Sequence, residues 1–435
     1  MSRATTLQPR PYDDLRVIEL AEDPGGEMTG YLLAGMGAEV IKVETAEGSQ
    51  TRTIGPFAGN DEGADNSLTF WYYNSNKRSV VVDHRSAAGS DTLGGLLADA
   101  DVFICTLPPA ELKARGIDYA ELCERFEALV ILAVTPFGLD GPWSAYRSSD
   151  LVGLAAGGPL HMCGYDDHAI PPIRPGGNQA YHTVASFAHK ALLIALLDRQ
   201  QCGRGQIVDV AMHDACAVTV ELANPYWFYP RAIVQRQTCR HAQPVRTQPA
   251  LFECADGRHV YFVLVVSEQK PWSKLVEWMD TLGIAADLKE SAYSEYRYRQ
   301  ANYDHIQGLV ECLFLLMDAD TAFHEGQARG LPIGIINAPE DLFADEHFRA
   351  RGFFVEVDHE EKGRFEYPGP PYLFSAFGSV ERRRAPKLGE HTAEVLAGRA
   401  RGLTPHVRDR EIAPTPHVAP TPHVAPTPHG ASGEG

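Results

Sequence analysis

The sequence lacks an excess of positive charge. Its 435 residues include 39 Lys and Arg against 57 Asp and Glu, which gives a formal net charge of −18 at pH 7. Phosphate-rich partners need a basic face on the protein, so this balance argues against a nucleic acid or an anionic membrane surface as the partner. It does not exclude a small anionic ligand that is held by a few local Lys and Arg side chains.

Long hydrophobic runs and paired cysteines are also missing. No apolar run approaches the roughly 20 residues that a membrane-spanning helix needs, and residues 1–12 lack the apolar stretch of a signal peptide. None of the eight cysteines has CxxC spacing, so we expect neither a disulfide framework nor a zinc site. These absences predict a cytoplasmic protein with reduced thiols.

Strand and helix patterns alternate through the first part of the chain. The predicted strands are rich in branched apolar residues and lie at 15–20, 38–44, 79–83, 101–106, 129–134 and 207–210. Helical patterns separate them, and the longest covers about 181–199. This alternation predicts an α/β fold with a doubly wound parallel sheet.

The predicted organisation has five segments. They are an N-terminal arm (1–12), the first part of a large α/β domain (13–225), a smaller α+β domain (226–335), a return to the large domain (336–400) and a tail (401–435). The small domain includes a hairpin that turns at Asp256-Gly257. Strands at 333–336, 353–357 and 363–367 are expected to return to the large domain. Three proline-rich APTPH copies predict a disordered tail.

Five short motifs together resemble one family. They are GAEVIKVE at 37–44, NKRS at 76–79, FGLDGP at 137–142, GRGQ at 203–206 and APKLGEHT at 385–392. In this order they resemble the class III CoA-transferases, the CaiB/BaiF-like family that includes formyl-CoA transferases and α-methylacyl-CoA racemases. The resemblance covers about residues 13–397 and leaves only the termini outside.

This resemblance implies a large doubly wound domain, a small domain and an interlocked dimer in which each chain threads through the other. It implies a CoA thioester as substrate, with no bound cofactor and no metal. The CoA-binding candidates are Asn76, Lys77, Arg78 and Gly138. Lys77 and Arg78 can supply cations to the CoA phosphates, although a solvated turn is the structural alternative for this pair.

The family's nucleophile is missing. In the transferases an Asp carboxylate attacks the thioester, and counting between Pro171-Pro172 and the GRGQ motif puts that position on Tyr181. A phenol, with a pKa of about 10, is mostly protonated at neutral pH. It cannot form the mixed anhydride that an Asp carboxylate forms with the acyl group. No Asp or Glu occurs from Ala169 to Leu197. The adjacent His182 is a weak candidate base.

Three functions fit these observations. The first is a non-catalytic subunit of a heteromeric CoA-transferase, such as a succinyl-CoA:benzylsuccinate CoA-transferase of anaerobic aromatic degradation, whose paralogous partner chain supplies the Asp. In that enzyme Arg231, Arg236 and Arg240 could hold an aromatic dicarboxylate, with a solvated charged face as the alternative. The second is a stand-alone dehydratase, lyase or isomerase that uses acid–base chemistry on an acyl-CoA, with Tyr181 or His182 as proton donor. The third is a CoA-binding protein without turnover.

Overall fold

Six parallel strands form the central sheet of the large domain in the computed structural model, which describes residues 10–220, 222–263, 268–378 and 380–400. The strands are β1 (Arg16–Leu20), β2 (Glu39–Glu44), β3 (Arg78–Val81), β4 (Val102–Cys105), β5 (Val130–Thr135) and β6 (Ile207–Ala211). Their spatial order is β3-β2-β1-β4-β5-β6. The strand β1 pairs in parallel with β2 on one side and with β4 on the other. The chain therefore adds β2 and β3 on one side of β1 and then reverses direction to add β4, β5 and β6 on the other.

Helices cover both faces of this sheet, which confirms the predicted α/β fold class. The helices of this part of the chain are α1 (Pro24–Ala34), α2 (Leu68–Asn74), α3 (Ala87–Leu97), α4 (Pro109–Ala114), α5 (Tyr119–Arg125), α6 (Asp150–Ala156), α7 (Gln179–Cys202), α8 (Met212–Val218) and α9 (Ala223–Phe228). The core strands are buried on both sides, as parallel strands under helices must be. One apolar core includes Leu33 of α1, Leu132 of β5 and Val184 of α7. A second core, on the other face, includes Leu96 and Phe103.

The long helix α7 is the central helix of the large domain. It packs against α1 and runs beside β5 and β6. By length and composition it is apolar enough to cross a membrane, a criterion that core helices of globular proteins also meet, and it is the one helix of this kind among the described residues. Its inner face, which includes Val184, Ala188 and Leu192, is buried in the apolar core.

A three-stranded antiparallel sheet forms the centre of the small domain. Its strands are β9 (Leu251–Glu253), β10 (His259–Phe262) and β11 (Ile333–Ile335), in the order β11-β10-β9. The strands β9 and β10 form the predicted hairpin, with Gly257 at a φ of 77° in its turn. The helices packed with this sheet are α10 (Gln269–Thr281), α11 (Tyr296–Ala301), α12 (Tyr303–Leu315) and α13 (Ala319–Ala328).

Two short ribbons and two helices complete the described fold. They are β7 (Gln235–Gln237) with β8 (Arg240–Gln243), β12 (Phe354–Asp358) with β13 (Arg364–Pro368), α14 (Glu346–Ala350) and α15 (Thr392–Ala400). The arm residues 1–9 and the tail at 401–435 lie outside the described residues.

The three strands expected to return to the large domain do not join its sheet. Instead, β11 is an edge strand of the small sheet, and β12 pairs with β13 alone. This ribbon meets the large domain through side chains, because the His359 ring stacks on Trp71 of α2 at a centroid distance of 3.9 Å. The segment after the ribbon reaches the sheet edge, where Val81 N donates to Thr392 Oγ1 over 2.9 Å.

Arg382 fixes this C-terminal segment to the large domain. Its guanidinium lies over the rings of Tyr31, Tyr72 and Tyr367 at 5.0, 5.7 and 4.3 Å. It also donates to the carbonyl of Pro368 over 2.6 Å and to that of Tyr72 over 3.3 Å.

We expect Arg382→Ala to lower the free energy of unfolding by about 2–4 kcal/mol, because it removes a partly buried cation together with its ring contacts and leaves carbonyl groups unpaired. Urea denaturation measures the change. The matched control is Arg364→Ala, which removes an exposed arginine of β13 and should cost under about 1 kcal/mol. Equal losses in the two variants would contradict this role for Arg382.

Candidate active site

A cleft of about 580 Å³ opens at the carboxyl ends of β1, β4 and β5. It lies where the strand order reverses, which is where open parallel sheets bind their ligands. Its lining combines apolar, hydroxyl and charged side chains, including Asp23, Thr106, Arg147, Tyr181, Val184 and Met212. The cleft is therefore the candidate active site.

Tyr181 lies in the first turn of α7 and lines this cleft. Its ring approaches the start of α1 closely, because a Cβ placed on Gly25 would lie 3.2 Å from Tyr181 Cδ1 and 3.2 Å from Asp23 Oδ1. Burial raises the pKa of the Tyr181 phenol, and the nearby Asp23 and Asp150 carboxylates raise it further. The phenol is therefore protonated at neutral pH and can donate a hydrogen bond.

Asp23 is the carboxylate that the sequence analysis did not select. It is the N-cap of α1, where its Oδ1 accepts from Gly25 N over 2.8 Å and from Gly26 N over 3.1 Å. Burial raises the pKa of Asp23 to about 6, against the two backbone hydrogen bonds, which lower it. The sequence does contain one signal for Asp23, namely its position shortly after β1. That signal is incomplete, because only the strand order brings this position next to Tyr181.

The other two acids of the cleft already have a cation partner. Glu22 and Glu111 both pair with Arg115, at 3.3 and 2.6 Å. Arg147 lies exposed at the rim and forms no ion pair with any residue that the structure describes. The cleft thus carries an acid at its floor and a cation at its rim.

His182 faces away from the cleft, towards α2. Its Nε2 lies 3.0 Å from Tyr73 Oη, which also accepts a hydrogen bond from Asn178 Nδ2 over 3.1 Å. Tyr73 Oη thus links His182 of α7 to Asn178, the residue before that helix. Burial lowers the pKa of His182, which makes it a neutral structural partner of Tyr73 in this geometry.

Lys77 lies inside the domain rather than at its surface. Its Nζ contacts Glu19 Oε2 at 2.7 Å and donates to the carbonyl of Glu27 over 2.7 Å and to Asn74 Oδ1 over 2.9 Å. The side chain is fully buried. A contact with a CoA phosphate needs an accessible ammonium group, so the expected role of Lys77 does not fit this geometry.

The neighbouring candidates also have partners within the fold. Arg78 pairs with Glu39 at 2.6 Å and with Glu394 at 2.8 Å. Asn76 has a φ of 67° and exchanges hydrogen bonds with the Arg383 backbone. Both residues connect β3 to the C-terminal segment, and their contact with CoA stays a prediction.

Gly138 lies in the turn that follows β5, two residues beyond Pro136 of the cleft lining. Its φ is 87°, a conformation that favours glycine, and its N–H donates to Thr135 Oγ1 over 3.0 Å. Gly138 is therefore the one predicted CoA-binding residue that the structure places close to the cleft.

The three arginines that were predicted to hold an acid substrate do not line this cleft. Arg231 is exposed, with its guanidinium 5.7 Å from the Trp227 ring. Arg236 donates to the carbonyl of Ile170 over 2.6 Å. Arg240 pairs with Asp166 and lines a different pocket, of about 570 Å³. Their proposed contact with an acid substrate would need a site other than the cleft beside Tyr181.

A buried ion cluster of Glu19, Glu27, Lys42 and Lys77 lies beneath the floor of the cleft. Lys42 Nζ contacts Glu27 Oε1 at 2.8 Å and Glu19 Oε1 at 3.3 Å, and all four side chains are inaccessible to solvent. Burial alone would lower the pKa of Lys42, but the surrounding Glu27, Glu19 and Glu44 carboxylates raise it above its ordinary value. Lys42 therefore stays charged inside the fold.

We expect Lys42→Met to lower the free energy of unfolding by about 3–5 kcal/mol, because it leaves buried carboxylates without their cation. Urea denaturation monitored by tryptophan fluorescence tests this. Lys113→Met, at an exposed position of α4, is the control and should change stability by less than about 0.5 kcal/mol. A Lys42→Met protein as stable as the control would contradict the importance of the cluster.

A cleft at the switch point of a doubly wound sheet defines a ligand-binding α/β protein, and comparison with known proteins identifies its kind. The family model of CoA-transferase family III matches residues 12–392. The chain belongs to this family. Its members use CoA thioesters as substrates.

Individual relatives cover nearly the whole chain. The succinyl-CoA:(R)-benzylsuccinate CoA-transferase subunit BbsE of Thauera aromatica is 32% identical over 88% of this chain and 93% of that protein. A succinate–glutarate CoA-transferase of Agrobacterium fabrum is 30% identical over 89% of this chain and 95% of its own length. The crystal structure of a CAIB/BAIF family protein from Brucella suis matches with a TM-score of 0.78 and 27% identity, and the match covers 90% of this chain and 100% of that one.

Proposed function

We propose that this chain is the subunit without the nucleophile in a heteromeric class III CoA-transferase, which moves CoA from an acyl-CoA donor such as succinyl-CoA to a carboxylic acid. The observation that carries the proposal is Tyr181, which lies in the cleft where the family's Asp is expected and has a protonated phenol there. A phenol in this state is a poor nucleophile. The partner is a paralogous chain that supplies the Asp.

Two observations support a two-chain enzyme. A relative that covers most of the chain is itself named as a subunit, and its name gives benzylsuccinate, an aromatic dicarboxylate, as the acid. This chain also exposes large apolar side chains, among them Ile194 at 69%, Leu197 at 59% and Tyr229 at 85%. Such surfaces are typical of protein interfaces, which fits an interlocked dimer. We expect an enzyme with this function to be cytoplasmic.

The proposal predicts that this chain never becomes acylated. The purified complex is incubated with succinyl-CoA, trapped with hydroxylamine or borohydride, and mapped by mass spectrometry. The label should appear only on an Asp of the partner chain, because this chain has no carboxylate at the nucleophile position. A label on Asp23, the acid nearest to Tyr181, would contradict the proposal.

Replacing Tyr181 by Phe should leave the transfer rate within about fivefold of the wild type, because the lost hydroxyl contributes at most one hydrogen bond of about 1 kcal/mol. Steady-state kinetics of the complex measure this. The second candidate function, acid–base chemistry on an acyl-CoA by this chain alone, draws support from the Asp23 carboxyl beside the Tyr181 phenol. A loss of about a hundredfold or more in Tyr181→Phe, near 3 kcal/mol of barrier, would favour that second function.

A further inference from the structure

The Asp23 carboxyl is the acid in the cleft that has no cation partner in the described part of the chain. Its Oδ1 accepts both backbone hydrogen bonds from the start of α1, and neither bond uses Oδ2. The ring of Tyr181 packs beside the turn at Asp23 and Gly25, because Gly25 has no side chain to occupy that space. Asp23 and Tyr181 thus form one end of the cleft.

Two charged groups act directly on the Asp23 carboxyl, namely Glu27 from α1 and Lys42 from β2. Glu22, Glu111 and Arg147 line the same cleft, where Arg115 pairs with both glutamates. The titratable group that faces Asp23 from α7 is the neutral Tyr181 phenol. Lys42 is the nearest cation, but it is engaged with Glu27 and Glu19. The floor of the cleft therefore has a negative charge when Asp23 is ionised.

We propose that Asp23 is a specificity-determining residue, which excludes free carboxylate anions from the floor of this cleft while admitting the uncharged thioester carbonyl of an acyl-CoA. A ligand carboxylate beside Asp23 would place two like charges together in a partly buried site, and one of them would have to bind a proton. An uncharged carbonyl instead accepts a hydrogen bond from the Tyr181 phenol. The inference rests on the proposed function and deepens it, because the acid substrate must then bind in the partner's cleft.

The test compares two stable CoA thioethers that differ in one group. Carboxymethyl-CoA carries a carboxylate at the acyl position, and carbamoylmethyl-CoA carries an uncharged amide of nearly the same shape. Their common CoA part cancels in the ratio of dissociation constants, which calorimetry measures on the full chain between pH 5 and 8.

At pH 8 the wild type should bind the amide at least about tenfold more tightly than the carboxylate, since tenfold corresponds to one pKa unit of repulsion. The ratio should fall towards one as the pH drops below about 6, because burial raises the pKa of Asp23 to about 6 and the carboxyl becomes protonated there. Asp23→Asn should bind both ligands with a ratio near one at every pH.

Two variants protect the test against a folding artefact. Asn and Ser both retain an N-cap acceptor for α1, so Asp23→Asn and Asp23→Ser should agree. Asp91→Asn removes an exposed carboxylate of α3 and should keep the wild-type ratio. A wild-type ratio near one at pH 8, a ratio unchanged in both Asp23 variants, or no binding of either ligand would each overturn the inference. Failure of the proposed function is a separate result, namely an acyl label on this chain.

Discussion

The buried ion cluster beneath the cleft is the constraint on which the large domain depends. Glu19 belongs to β1, Lys42 to β2, Glu27 to α1, and Lys77 to the turn before β3. Each charge is stable inside the protein only while its partners hold their positions. The cluster therefore fixes the first helix relative to three strands, and with it the turn that carries Asp23 into the cleft.

The same packing explains why the cleft has its particular chemistry. Asp23 is held by the amino end of α1 and Tyr181 by the first turn of α7, and these two helices pack on each other. Gly25 keeps them in contact, since a side chain there would meet both residues. A substitution at Tyr181 thus changes the neighbourhood of Asp23 as well, because the two side chains share one small space.

The fold was predictable where local pattern decides it, and the site was not. Branched apolar runs identified the strands, and Asp256-Gly257 identified the hairpin. The strand Ile333–Ile335 has only three residues, and so short a strand does not determine which sheet it joins. Any exposed strand edge can accept a short apolar strand. Tyr181 was found through the resemblance to the family, by counting between two of its motifs, whereas Asp23 needed the strand order, which is a long-range property.

Lys77 shows why residue type alone misplaces a site. A lysine beside an arginine before a strand suggests an anion-binding turn, and the residues next to this pair include no carboxylate. The carboxylate comes from Glu19, on a strand that is distant along the chain. With Lys77 held there, the exposed Arg147 at the rim is the cation of the cleft that remains available to an anionic ligand in the described structure. A charged group of a ligand would therefore lie at the rim and an uncharged thioester carbonyl beside Tyr181, which is the orientation that an acid at the floor favours.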